Sequence, residues 1–90
     1  MLVALMAFDK QGALQIRKDN RADHLAYIEA TGVVSQAGPL LGDAGEMAGS
    51  LVVLEVADMA AAREWAKNDP YARAGLFAKV ELIQWKKVIG

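Results

Sequence analysis

Cysteine is absent from these 90 residues, which excludes disulfides, thiol nucleophiles and cysteine-ligated metal sites. Histidine occurs once and proline twice. Neither sign of charge dominates: ten Lys and Arg stand against eleven Asp and Glu, for a formal net charge of -1. No basic stripe results, so nucleic acid and anionic membrane are poor partners. The longest apolar run, Leu2 to Phe8, falls far short of the roughly 20 residues that span a bilayer. The chain opens as a strand rather than as a charged leader with a cleavable apolar segment, and reads as cytoplasmic. Glycine-rich phosphate loops, nucleophile elbows and basic–aromatic alternation are missing. Asp43 and Glu46, even with His24, lack metal-ligand spacing, so no metal and no cofactor is expected.

What the chain has in quantity is apolar surface. Hydrophobic residues make up 54% of it, above the usual share for a soluble domain. One domain spanning residues 1–90, with the small core volume of that size, would bury part of this surface against a copy of itself. A homodimer is therefore expected.

The elements can be read in order. Leu2 to Phe8 is a short run bounded by the Asp9-Lys10-Gln11-Gly12 turn signal, hence a strand. Both its faces are apolar, as in a sheet covered on both sides. Ala13 to Thr31 reads as helix, which Asp19-Asn20 can interrupt, with Asn20 as a second N-cap. Ala22, Leu25, Ala26 and Ile28 form the stripe expected to pack on the sheet, and Gly32 is the stop. Val33 to Leu41 is a second strand in which Gly38-Pro39 marks an edge, bulge or bend. Gly42 to Gly49 is a loop, and Ser50 to Val56 a third strand. Asp58 caps a helix from Met59 to about Lys67, with Ala62, Trp65 and Ala66 toward the sheet. A turn from Pro70 to Ala74 ends at Gly75 and leads into a last strand, Phe77 to Trp85. On it Ala78, Val80 and Leu82 suit a helix-covered face, and Phe77, Lys79, Glu81, Ile83 and Trp85 the opposite one. Strand, helix, two strands, helix, strand is the ferredoxin-like βαββαβ order of an α+β fold. Its four-stranded antiparallel sheet carries both helices on one face. The bare face here is largely apolar, which marks an interaction surface that two-fold pairing would cover.

Candidate chemistry centres on His24, whose titration near neutral pH suits a general base or acid. The alternative is a half-buried histidine on an amphipathic helix. Arg17, Arg21 and His24 are spaced by four and three, one face of a continuous helix. Asp69 can cap the short turn before Pro70, or orient His24 by accepting a hydrogen bond from one ring nitrogen. Spacing alone leaves open whether positions 24 and 69 meet. Gly38, Pro39 and Ser50 have the turn-geometry reading beside a pocket-wall reading, with the Ser50 hydroxyl as a polar handle. Tyr71 packs at a dimer contact or points its hydroxyl into a pocket. Trp65 and Trp85 read as core or interface anchors.

Arg21-Ala22-Asp23-His24-Leu25, Gly38-Pro39, Gly49-Ser50, Trp65-Ala66, Asn68-Asp69-Pro70-Tyr71 and Gly75, in that order, closely resemble the YciI-like family over nearly the whole chain. The resemblance implies a ferredoxin-like subunit, a dimeric α+β barrel and an active site built on a His-Asp pair, here His24 and Asp69. A related member resembles a dehydrochlorinase of chlorinated hydroxyquinol-type aromatics, and the barrel is similar to muconolactone isomerases. Three functions follow as expectations. The first is a cofactor-independent lyase, isomerase or dehalogenase acting on a small cyclic or aromatic metabolite, with Arg21 steadying an anionic group. The second is a non-catalytic dimeric module that binds a ligand or another protein. The third, oxygenase or haem-degrading chemistry of similar barrels, is disfavoured because nothing marks His24 as an axial ligand.

Overall fold

The computed structural model describes residues 1–90. Strand β1 (Leu2–Asp9) leads into helix α1 (Leu14–Thr31), then strands β2 (Val34–Leu41) and β3 (Met47–Glu55). Helix α2 (Met59–Asn68), the single turn α3 (Pro70–Arg73) and strand β4 (Phe77–Trp85) complete the chain. The sheet order is β2-β3-β1-β4 with every neighbour antiparallel. This is the ferredoxin-like α+β arrangement.

Alternation along β1 divides the sheet into two faces. Val3, Leu5 and Ala7 point to one side, with Val52 and Leu54 of β3, and there they meet Ala62 and Trp65 of α2 and the partly buried Tyr27 and Ile28 of α1. Both helices thus cover the same face. Trp65 is a core residue, its Nε1 donating to Thr31 Oγ1 while the Tyr27 hydroxyl donates to its carbonyl. The other face carries Phe8, Leu51, Ile83 and Trp85, between 39% and 53% exposed.

Four local expectations are corrected. Helix α1 is unbroken: Asp19 accepts from Gln15 Nε2 at 2.8 Å, and Asn20 Nδ2 donates back to the Ile16 carbonyl at 2.9 Å. Both polar side chains are thereby tied to the preceding helical turn. Its inward face is also not the apolar stripe. Ala22, Leu25 and Ala26 are exposed, whereas Arg17 and His24 are buried. The helix is rotated to bring its polar residues to partners on the sheet and α3. The third correction concerns β3, which begins at Met47 rather than Ser50, because Leu41 pairs with Met47 and Leu40 with Gly49. A tight turn closed by Gly42 N to Glu46 O and Gly45 N to Gly42 O suffices. Finally, a bulge between Phe8 and Asp9 pairs Asp9 with Phe77, turning Phe77 from the bare face into the helix-side core against Tyr71.

Pro39 lies on β2, which has a neighbour on one side only, where a missing backbone donor is tolerated. At Gly49 a Cβ would run into the Ala7 carbonyl oxygen, so the approach of β3 to β1 depends on glycine at that position.

Candidate functional site

The turn after α2 places the site. Asp58 caps α2 through Ala61 N. At the other end Asp69 closes α2 and opens α3, with Pro70 at the first helical position, where a missing N–H is harmless. Asp69 is 1% exposed. Its Oδ1 accepts from Tyr71 N at 3.0 Å and lies 2.7 Å from His24 Nδ1. A carboxylate only accepts, so Nδ1 donates and the neutral imidazole keeps its lone pair on Nε2. Nε2 has no protein partner, yet no fully buried side-chain nitrogen or oxygen is unpaired. Nε2 therefore reaches accessible space, and His24 lines a cavity of about 190 Å³.

Tyr71 holds the imidazole from one face, its ring stacked at 3.9 Å and 14°. Phe77 meets Tyr71 edge-on at 6.1 Å, and the Arg17 guanidinium carbon stands 4.8 Å from the Tyr71 centroid. Arg17 itself is gripped by Asp9, with Nε to Oδ2 at 2.7 Å and Nη2 to Oδ1 at 2.8 Å, and Nη2 also donates to Ser50 Oγ at 2.9 Å. Burial works against the guanidinium's charge, but the bond and charge of Asp9 hold its pKa above the ordinary value. Burial pushes the Tyr71 hydroxyl up, against the opposite pull of Arg17 and Arg21.

Arg21, His24, Gly38, Pro39, Ser50 and Tyr71 all line this one cavity; Asp69 stands behind His24. Leu25, Ile28, Met47 and Val52 complete an apolar side. In the sequence Asp9 reads only as a turn residue, and Arg17 carries no role there. Arg17 had a signal, four and seven residues before Arg21 and His24 on an unbroken helix; Asp9 had none. No three His, Asp or Glu side chains converge as a metal site, and no helix is long and apolar enough to cross a membrane.

Fold and site together define a class: a ferredoxin-like α+β subunit with a small cavity between α1 and the β2–β3 edge, one imidazole opening onto it and a carboxylate fixing that imidazole from behind. A family profile described as YCII-related domain matches residues 1–86, and the chain belongs to this YciI-like family. It is 36% identical to Protein YciI of Escherichia coli O6:H1 over 98% of this chain and 99% of that one. An uncharacterised protein of Haemophilus influenzae is 33% identical with the same coverage. Among solved structures it is similar to the 5-chloro-2-hydroxyhydroquinone dehydrochlorinase TftG of Burkholderia phenoliruptrix AC1100, in complex with 2,5-dihydroxybenzoquinone. The TM-score is 0.87 at 37% identity, over 96% of this chain and 94% of that one. An antibiotic biosynthesis monooxygenase, at TM-score 0.57 and 14% identity over 97% and 100% of the two chains, shares the fold alone.

Proposed function

We propose that the protein is a cofactor-independent acid–base enzyme acting on a small cyclic or aromatic metabolite, by isomerisation or by elimination of a leaving group. One observation carries this reading: the only histidine is buried, held through Nδ1 by Asp69 at 2.7 Å, and left with Nε2 open on a cavity. A positioned base of that kind takes a proton from the substrate while the imidazolium that forms is stabilised by the carboxylate behind it. Removal of a ring hydroxyl proton leaves an oxyanion beside Arg21, whose charge steadies it. Return of the proton from Nε2 to a ring carbon completes an isomerisation. For an elimination, Nε2 takes a second ring hydroxyl proton from this non-aromatic tautomer, and the electron pair left on that oxygen forms a carbonyl and expels the leaving group as an anion. The likeness to TftG supports a small-molecule-processing enzyme of this kind. The cavity's size agrees, since about 190 Å³ is below the roughly 300–1,000 Å³ of pockets for drug-sized ligands.

The reading includes a homodimer. Phe8, Leu51, Ile83 and Trp85 leave the bare face of the sheet apolar, and a second copy of the same face would cover it.

A non-catalytic binding module is the second reading. It is favoured by the cap: Asp69 Oδ1 also binds Tyr71 N, a structural role sufficient to explain its burial. Two variants decide between them, assayed for proton exchange or elimination on hydroxylated and halogenated ring compounds. His24→Ala should lower any turnover found by about 10²–10⁴-fold. Asp69→Asn keeps a good N-capping side chain, so the protein should stay folded while its turnover falls by at least about 10²-fold, because a neutral amide no longer stabilises the imidazolium that forms. Full turnover in His24→Ala would end the catalytic reading.

A further inference from the structure

Beside His24 and Asp69 the cavity holds a second buried polar group, and its hydrogen bonds run in one direction. Asp9 accepts twice from Arg17, and Arg17 Nη2 passes a further N–H to Ser50 Oγ. A guanidinium has no acceptor, so Ser50 is the acceptor in that bond, and its own hydroxyl proton has no protein partner. Arg17 and Ser50 are each 3% exposed and both line the cavity. The cavity is therefore where that proton finds an acceptor.

The same wall carries other donors. The Arg17 Nη1 group is left free by Asp9 and Ser50. Arg21 has no carboxylate partner, and the Tyr71 hydroxyl stays protonated at neutral pH. Of the side-chain nitrogens and oxygens lining the cavity, only His24 Nε2 in the neutral imidazole can accept without also donating.

We propose that Asp9, Arg17 and Ser50 form a relay in which Arg17 is a positioning residue that turns the Ser50 hydroxyl into a fixed donor, so that the site selects a ring bearing an ionised oxygen. This deepens the acid–base reading and uses the same cavity. A neutral ring of equal size would leave the buried Ser50 and arginine donors facing apolar substituents, and unpaired buried donors are what reject such a ligand. An anionic oxygen accepts from them all. The Arg17 fork is essential to the direction: lysine would keep the charge but lose the two-point grip on Asp9, and Ser50 would be free to rotate.

Two quinones of nearly equal size test this by titration calorimetry at neutral pH. 2,5-Dihydroxybenzoquinone is ionised there, and 2,5-dimethylbenzoquinone presents the same two carbonyls with methyl groups in place of the oxygens. The wild-type protein should bind the ionised ring at least about tenfold more tightly, the worth of a charge-assisted hydrogen bond. Ser50→Ala should reduce that preference by about tenfold, and Arg17→Lys by a similar factor, whereas His24→Gln should retain it. The ratio of the two affinities isolates positioning from structural damage, which would weaken both rings together. Equal binding of the two rings by the wild-type protein, or no binding of either, overturns the inference, and so does a preference that survives Ser50→Ala. Because binding in His24→Gln is independent of turnover, a preserved preference with undiminished turnover in that variant would sink the acid–base reading and leave this one standing.

Discussion

Tyr71 is held on three sides: His24 stacks on one face, Phe77 meets an edge, and Arg17 approaches the ring. Its place follows from chain geometry, since it is the second residue of α3 and its N–H is fixed by the Asp69 cap. The phenol is consequently buried, and burial raises its pKa even against two arginines. Tyr27 is raised as well, by burial and then by Asp69. Both shifts have the same sign for stability. A hydroxyl whose folded pKa lies above the ordinary value of about 10 holds its proton more tightly in the native state. Its contribution is complete below about pH 10 and is lost as pH rises through the folded value. A phenolate absorbance titration run beside chemical denaturation checks this. Both tyrosines should ionise above the ordinary range, with unfolding free energy falling over the same interval; ionisation near 10 at constant stability would contradict it.

At the scale of elements, the contact between β1 and β3 depends on Gly49. A methyl group there meets a backbone oxygen, which cannot rotate away as a side chain can. Gly49→Ala should cost about 1–3 kcal/mol, the usual range for overpacking, read as a lower denaturant midpoint with an unchanged slope. A variant as stable as the parent would show that β3 slides to make room. The elements themselves were largely legible, because their signals are local: Asp58, Pro70, Gly32 and Gly75 punctuate the chain where α1, α2 and α3 begin or end. What could not be read was rotation and register. The apolar side chains of α1 suggested one inward face, but the buried Arg17 and His24 define another, because their partners Asp9 and Asp69 come from elsewhere in the chain. Phe77 changed faces through one extra residue in β4. Asp9 was illegible for the same reason, since its value to the site exists only once that bulge and α1 are both in place.

For the whole molecule, the two faces of the sheet differ in kind. One is sealed by helices and holds the cavity; the other presents Phe8, Leu51, Ile83 and Trp85 to solvent, relieved at one corner by the exposed Lys79–Glu81 pair. Sedimentation velocity at micromolar concentration should give a dimer, and Ile83→Glu, which sets a carboxylate on that apolar face, should shift it to monomer without loss of secondary structure. A monomeric parent protein would refute the face-to-face arrangement.

The two hydrogen bonds accepted by Asp69 Oδ1 also have a bearing on order in time. One of its partners, Tyr71 N, is two residues away, and the other, His24, is 45 residues away. Short loops close at small entropic cost and long ones later, so the cap can form while α1 is still searching for its place. The carboxylate is then already aimed when the imidazole arrives to complete the base.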